Sequence, residues 1–268
     1  MRSVYIKHQD AFIRCHEAPS NKAPLVYLPA ISFSVSASFF DVVMHPKIPE
    51  HRALLVDYFG SGVSDHPRNF GYTMEEHVNA VAALLDDAGC QGATIVGHSM
   101  GGTVAVKLAL ARPDLVGKLV IGEGNVTSGG GALVRQIISH EEADFVDTVF
   151  PKMLAGIFDD AKSGDPIGLR RNNVWKNISP LGLYRNAQAL YGVPDTLLDD
   201  FLSLSIPTTF VYGGNSLPTT PQDAGADTPW PDYLIASEVN IEVVPNAGHG
   251  LMFDNLDGFV EVLLRAAF

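Results

Sequence analysis

Short apolar runs alternate with helical patterns along most of this chain. The chain opens with two runs, Val4–Ile6 and Ala11–Cys15, that flank a polar turn and predict a β-hairpin. The runs that follow are mostly apolar and contain many β-branched residues: Leu25–Leu28, Ala53–Val56, Ala93–Val96, Leu119–Ile121, Thr208–Tyr212 and Ile241–Val244. Runs that are apolar on both faces are typical of strands in a buried parallel sheet.

Helical patterns lie between these runs. The clearest one spans Thr73 to Ala88, where Thr73 and Glu76 form a capping-box pattern and the apolar positions fall on one face. Two further helices are predicted, from Met100 to Ala111 and from about Asn255 to the C-terminus. The alternation predicts an α/β fold with a doubly wound, mostly parallel sheet of eight strands.

One long segment, from about Val126 to Leu204, interrupts the alternation. It begins with a Gly-rich stretch at 127–131 and contains helical patterns but no strand-like run. We interpret residues 126–204 as a helical lid inserted between two strands. Residues 1–125 and 205–268 then form the core domain.

Composition narrows the class of protein. Hydrophobic residues make up 46% of the chain and charged residues 18%, which excludes a disordered chain. No window approaches the roughly 18 consecutive apolar residues that span a membrane, and the first ten residues contain no signal-like apolar segment. With only two cysteines, Cys15 and Cys90, a disulfide framework is not expected. We therefore expect a cytoplasmic protein.

The net charge of −12 bears on the partners of the protein. A surface of this sign repels nucleic acids and anionic membranes, and no cluster of Lys or Arg offsets it locally. A neutral, hydrophobic small molecule is the expected partner. The sequence leaves the oligomeric state open, with a homodimer as one option.

The strongest chemical signal is the motif Gly97-His98-Ser99-Met100-Gly101, which lies between a predicted strand and a predicted helix. A serine on a sharp strand-to-helix turn has a strained backbone, so the positions two residues away must be nearly free of side chains. The turn raises the Ser99 hydroxyl into the cleft at the carboxyl ends of the strands. Ser99 is therefore the predicted nucleophile.

A serine nucleophile needs a base, and the chain contains nine histidines. His249 follows the last predicted strand in a Gly-rich loop, at the same sheet edge as Ser99, and is the predicted base. His98 is adjacent to Ser99 and is expected to point to the other side of the chain. The other histidines are expected at the surface or at the edge of the core.

The acid that supports the histidine is less obvious. The position where most sequences of this pattern carry an Asp, after the run Thr208–Tyr212, holds Ser216, which cannot be negatively charged. Glu123 lies at the end of the neighbouring strand, 24 residues after Ser99, and is assigned as the acid. Asp223 and Asp227, in the loop after Ser216, are the alternatives.

Two backbone amides should stabilise an oxyanion. One is the amide of Met100, directly after the nucleophile. The other belongs to the loop after Leu25–Leu28, where Ile31 is preferred over Ala30 by position.

Together these residues resemble the α/β-hydrolase fold superfamily. The segment from Val56 to Asp65 resembles the D-x-x-G-x-G-x-S segment after the fourth strand, and Gly248-His249 also matches. The placement of Glu123 is similar to that in zearalenone-lactone hydrolases and, with a different nucleophile, in haloalkane dehalogenases. Because position 99 is Ser and not Asp, the resemblance does not extend to dehalogenase or epoxide hydrolase chemistry.

These observations predict a serine hydrolase that cleaves a carboxylic ester or lactone and needs no metal or cofactor. C–C bond hydrolases, perhydrolases and thioesterases use the same groups, and a slow-turnover ligand receptor on the same scaffold is an alternative of a different class. The apolar lid should make the substrate pocket apolar. The expected pocket residues are Ala30, Met153, Phe158 and Trp175, with Trp175 the preferred wall.

Overall fold

Eight strands form one sheet in the computed structural model, which describes residues 1–268. The strands are β1 (Arg2–Ile6), β2 (Ala11–Ala18), β3 (Pro24–Leu28), β4 (Arg52–Asp57), β5 (Ala93–His98), β6 (Val116–Gly122), β7 (Thr208–Gly213) and β8 (Asn240–Val244). Their order across the sheet is β1-β2-β4-β3-β5-β6-β7-β8. Only the pairs β1–β2 and β2–β4 are antiparallel. The predicted mostly parallel sheet of eight strands is confirmed.

Helices cover both faces of this sheet, so the central strands β3 to β7 are buried on both sides. The helices are α1 (Val35–Val43), α2 (Met74–Asp87), α3 (Met100–Ala111), α4 (Ala132–Ile138), α5 (Glu142–Asp144), α6 (Phe150–Lys162), α7 (Pro166–Trp175), α8 (Pro180–Tyr191), α9 (Thr196–Leu202), α10 (Pro231–Ala236), α11 (Leu251–Asp254) and α12 (Leu256–Ala267). Successive residues of β3 alternate between the two resulting cores: Val26 and Leu28 pack in one, and Leu25 and Tyr27 in the other.

Local sequence signals account for the helix bounds. Helix α2 begins after Thr73, whose hydroxyl accepts a hydrogen bond from the Glu76 amide, and the Glu76 carboxylate accepts one from the Thr73 amide. Helix α12 begins after Asn255, whose side chain accepts from the Gly258 amide.

Between β6 and β7 the chain forms only helices, α4 to α9, together with one π-helical turn at Phe145–Val149. This helical insertion is attached to the rest of the fold by partly buried polar contacts. His77 Nε2 lies 2.7 Å from Asn186 Oδ1, and the Ser179 amide donates to Gly60 O over 2.9 Å. The insertion therefore has a fixed position over the sheet. That residues 126–204 form a separate lid domain stays a prediction.

The strand register brings three strand ends together. His98 is paired with Gly122, and Gly122 with Val211, so Ser99 and Glu123 follow their strands side by side. The contact continues beyond the strands, because the Ser99 amide donates to Gly122 O over 2.9 Å and the Glu123 amide to Val211 O over 3.1 Å.

The turn from β5 to α3 is as sharp as its sequence predicts. Ser99 has φ 53° and ψ −120°, a region that residues with a side chain rarely adopt. A Cβ atom at Gly97 would overlap Gly101 O, and one at Gly101 would overlap Leu28 O. The two glycines are therefore required by close backbone approach. None of the helices is both long enough and apolar enough to cross a bilayer.

We predict that Gly101→Ala destabilises the fold, because the added methyl group meets backbone atoms that cannot move independently. The expected loss in the free energy of unfolding is about 1–3 kcal/mol, measured by urea denaturation. Gly156→Ala is the matched control: a Cβ atom there meets nothing within 4 Å, and the residue lies inside α6. The control should be neutral or stabilising by up to about 1 kcal/mol, since Ala favours helix. Equal effects of the two substitutions would contradict the packing argument.

Candidate active site

Ser99 lies at the wall of a cavity of about 470 Å³ between the sheet and the helical insertion. The Ser99 side chain is largely enclosed, since the residue is only 5% exposed. The cavity wall includes an apolar group from four parts of the chain: Ala30, Ile31, Phe33, Ala132, Leu133, Val134, Ile167 and Phe253. It also includes a polar group: Ser32, His98, Asn125, Arg171, Asp227, His249 and Asp254. The serine therefore faces a mainly apolar space with a few polar groups, as small-molecule sites do.

Unpaired backbone amides lie beside Ser99. The Met100 amide is at the start of α3 and donates to no acceptor in the protein, and neither do the amides of Ile31 and Ala30. Ile31 and Met100 also border one small buried cavity, so the loop after β3 and the start of α3 are adjacent. Amides in this arrangement can stabilise an anion, with the positive end of the α3 dipole behind them. The Met100 amide is thus available as one donor, and the amides of Ile31 and Ala30 are both available as the second.

His249 lies in the loop between β8 and α11, with its ring against a carboxylate. His249 Nδ1 lies 2.8 Å from Glu123 Oε2. Because a carboxylate accepts, Nδ1 carries the proton and Nε2 is left with a free lone pair. Ser99 and His249 border the same cavity, and no hydrogen bond joins them in this structure. Such contacts commonly tighten when substrate binds.

Glu123 is held by two further donors. Its other oxygen, Oε1, accepts from the Gly213 amide over 2.7 Å and from the Ser216 hydroxyl. Ser216 occupies the position where the family pattern has an acid, and here it supports an acid that comes from the neighbouring strand. The backbone of Glu123 has φ 42°, in the left-handed region, which turns its side chain toward β7.

The charges of this pair follow from their surroundings. Burial raises the pKa of Glu123, but the hydrogen bonds from His249, Ser216 and the Gly213 amide outweigh it, and the pKa is lowered. Burial lowers the pKa of His249, but the Glu123 hydrogen bond and the charge of Asp227 outweigh it, and the pKa is raised. The arrangement thus stabilises a carboxylate next to an imidazolium, which is the charge state that a general base reaches after it has taken a proton.

His98 is adjacent to Ser99, and its pKa is shifted in the direction opposite to that of His249. Its ring is 3% exposed, and burial lowers the pKa of His98 to about 4. His98 Nε2 donates to the His249 backbone carbonyl over 2.7 Å and so holds the loop that carries the predicted base. His98 therefore stays neutral and positions His249 through its backbone.

The two alternative acids differ in position. Asp223 lies in an exposed turn, where it accepts hydrogen bonds from Thr219 and Thr220. Asp227 lies at the cavity, and its Oδ2 is 3.4 Å from His249 Nδ1. Of the three carboxylates, that of Glu123 is therefore the closest to His249 Nδ1 and that of Asp227 is the second closest. Asp223 makes no contact with the histidine.

Three of the four expected pocket residues do not border the cavity, and we correct them. Trp175 is 2% exposed and stacks on Phe150 with 5.5 Å between ring centroids, inside the core of the helical insertion. Met153 packs against the same core. Phe158 is 49% exposed, with the Lys176 ammonium over its ring. Ala30 is the one expected pocket residue that borders the cavity.

The sequence interpretation missed the residues that form the wall in their place. Leu133 follows the Gly-rich stretch, Ile167 lies at the start of α7, and Phe253 lies on α11, where its ring stacks on Phe33. Asn125 was also missed: it is 2% exposed at the cavity wall, and its Nδ2 has no acceptor. Its place two residues after Glu123, at a strand end, was the available signal.

Metal binding has no support from the geometry. No group of three or more His, Cys, Asp or Glu side chains is arranged to hold a metal ion.

Comparison with known proteins gives the family of this chain. Residues 25–262 match the family model described as "Alpha/beta hydrolase family". The chain is 41% identical to Lipase LipV of Mycobacterium tuberculosis over 91 residues, which covers 34% of this chain and 34% of that protein. It is 28% identical over 226 residues to the sn-1-specific diacylglycerol lipase ABHD11 of Mus musculus, covering 79% of this chain and 70% of that protein.

A solved structure shows the same fold. The enol-lactonase from Burkholderia xenovorans LB400 superposes with a TM-score of 0.77 at 17% identity and covers 98% of both chains. The family model spans most of the sheet, the turn at Ser99 and the loop at His249. The chain belongs to the alpha/beta hydrolase family.

Proposed function

We propose that this protein is a serine hydrolase that cleaves carboxylic esters or lactones of neutral, hydrophobic small molecules through an acyl-enzyme. One observation carries the proposal. Ser99 on its strained turn, Ile31 and His249 border one cavity, the unpaired amide of Met100 lies next to Ile31 at the start of α3, and Glu123 is hydrogen-bonded to His249. This set supplies a nucleophile, an oxyanion site, a base and an acid.

The reaction follows from these roles. Ser99 Oγ attacks the carbonyl carbon, and His249 Nε2 takes the hydroxyl proton while Glu123 stabilises the imidazolium. The amides of Met100 and Ile31 donate to the oxyanion. His249 then gives its proton to the departing alkoxide, which leaves as the alcohol. A water molecule repeats the sequence on the acyl-enzyme and releases the carboxylic acid. In a lactone the alcohol and the acid remain in one product molecule.

The relatives agree with ester chemistry, since two of them are named lipases. Because the alignment with Lipase LipV covers only 34% of that protein, its activity is not transferred to this chain. The cavity volume of about 470 Å³ accommodates either an ester or a lactone.

The substrate class follows from the cavity wall. Apolar side chains from the oxyanion loop, α4, α7 and α11 surround the space above Ser99. Each substrate methylene that they bury adds up to about 0.8 kcal/mol of binding. We also propose a cytoplasmic location, which agrees with two buried free thiols, Cys15 and Cys90.

The nucleophile is tested by Ser99→Ala, which should abolish hydrolysis of p-nitrophenyl acetate and leave the thermal unfolding curve intact. The wild-type protein should react with an organophosphonate. Mass spectrometry of the inhibited protein should place the adduct on Ser99. An adduct on any other residue would overturn the proposed function.

The acid is tested by Glu123→Gln, which keeps the shape of the side chain and removes the charge that opposes the imidazolium. Turnover should fall by roughly 10²–10⁴. The control, Asp223→Asn, removes a carboxylate from the loop after β7 that does not border the cavity. Turnover of this control should fall by less than about tenfold, and a tenfold fall corresponds to a rise of about 1.4 kcal/mol in the activation barrier. The reverse ranking would move the acid to the loop after β7.

The pocket wall is tested by a matched pair on α7. Ile167 and Leu169 are exposed to similar extents, 45% and 48%, but only Ile167 borders the cavity. With p-nitrophenyl esters of rising acyl length, kcat/KM of the wild type should rise by up to about fourfold per methylene until the pocket is full. Ile167→Ala should flatten this rise and Leu169→Ala should not. If both variants behave like the wild type, the acyl chain lies elsewhere.

A further inference from the structure

His249 faces two carboxylates through the same ring nitrogen. Nδ1 lies 2.8 Å from Glu123 Oε2 and 3.4 Å from Asp227 Oδ2. Glu123 is almost fully enclosed, with 1% of its side chain exposed, and it accepts from two other donors. Asp227 has 22% of its side chain exposed, borders the cavity, and accepts no hydrogen bond from another residue. The second carboxylate is therefore directed at both the base and the substrate space.

The loop around Asp227 holds this carboxylate in place. Gly225 and Thr228 exchange backbone hydrogen bonds of 3.0 and 3.2 Å and form a tight turn, and the Val126 amide donates to Ala226 O over 2.8 Å. A Cβ atom at Gly131 would come within 3.3 Å of Asp227 Oδ2. A hydrogen-bonded turn, packed against the start of the helical insertion, therefore determines the position of the Asp227 carboxylate.

We propose that Asp227 is a positioning residue that acts through His249 and a specificity residue that disfavours anionic substrates. It does not replace Glu123, which is closer to His249 and bonded to three groups. Its charge adds to that of Glu123 on the imidazolium and also gives the cavity a negative wall beside the nucleophile. This inference rests on the proposed function of the site.

The charged groups around His249 and Asp227 determine whether the loss of the Asp227 charge raises or lowers the pKa of His249. His249 is faced by Glu123 from β6, Asp227 from the loop after β7, Asp254 from α11 and the neutral His98 from β5. Asp227 is faced by His249, Glu123 and Arg135 from α4. Burial raises the pKa of Asp227, and its nearest cation is the imidazolium of His249. Arg171 from α7 is the cation on the cavity wall, and it is exposed and without an ion-pair partner.

The charge of the Asp227 carboxylate should affect both the base and the choice of substrate. Because the Asp227 carboxylate stabilises the imidazolium, its removal should lower the pKa of His249. The neutral imidazole is the base, so the acid limb of kcat/KM should then move to lower pH. A substrate with its own carboxylate would be repelled by Asp227, so neutral esters should be preferred in the wild type.

The test is Asp227→Asn in the full-length protein, with Asp223→Asn as the control from the same loop. NMR titration of the His249 ring measures its pKa without any need for turnover. The second measurement compares p-nitrophenyl butyrate with p-nitrophenyl hemisuccinate over a range of pH. In Asp227→Asn we expect a lower His249 pKa and an acid limb of kcat/KM shifted to lower pH. The kcat for butyrate should fall by less than about tenfold. The ratio of kcat/KM for hemisuccinate to that for butyrate should rise by about tenfold. The control should change none of these.

The outcomes separate the two proposals. An unchanged His249 pKa in Asp227→Asn, with esterase activity that depends on Ser99, overturns the role of Asp227 and leaves the proposed function standing. A lowered His249 pKa in a protein without esterase activity supports the contact between Asp227 and His249 and overturns the proposed function. A wild-type preference for hemisuccinate would assign the cavity to anionic substrates that Arg171 binds, and would overturn the specificity role.

Discussion

A carboxylate inside the protein is the constraint on which this site depends. Glu123 is 0% exposed, and an ionised group in such a place is very unfavourable unless donors surround it. Three groups meet this need: His249, the Gly213 amide and the Ser216 hydroxyl. Two come from the end of β7 and its following turn, and the third from the loop after β8. The charge therefore ties the ends of three neighbouring strands together.

The same constraint explains why Ser216 can stand at the position of the usual acid. A second carboxylate there would lie against Glu123 and repel it, whereas a hydroxyl donates to it. In the proposed triad the acid comes from the strand next to the usual one, and Ser216, at the usual position, donates a hydrogen bond to it. His249 keeps its place because β6 and β7 are adjacent and in register, so a carboxylate from either strand end reaches the same ring.

Backbone geometry accounts for much of what could be predicted from the sequence. Gly97 is required by close approach to the backbone of its own turn, and Gly101 by close approach to the end of the adjacent strand β3. The buried strands could be recognised for a similar reason, since only a sheet covered on both faces accommodates runs apolar at every position. Glu123 could be found because strand ends in a parallel sheet lie at one edge, whatever the connections between them.

The cavity wall could not be predicted in the same way. Helical periodicity indicates that one face is buried but not which surface covers it, and the aromatic residues of the helical insertion mostly cover one another. Trp175 stacks on Phe150, and Phe145 packs against both Phe150 and Tyr184. The wall is instead made by residues near helix starts and loops, such as Leu133 and Ile167, whose positions depend on how the insertion docks.

Two neighbouring histidines show how the fold, and not the residue type, sets the chemistry. His98 and His249 have ring centroids 5.1 Å apart. His98 is buried and lacks a carboxylate partner within hydrogen-bond distance, so burial dominates and the ring stays neutral. The side chain of His249 is 44% exposed, and the carboxylates of Glu123 and Asp227 face its Nδ1, so its cation is stabilised. A positive charge on His98 would disfavour a proton on His249, because the two charges would lie about one ring spacing apart. In the proposed mechanism the neutrality of His98 therefore helps His249 to accept the proton of Ser99, because the deep burial of His98 keeps a second cation away from the His249 ring.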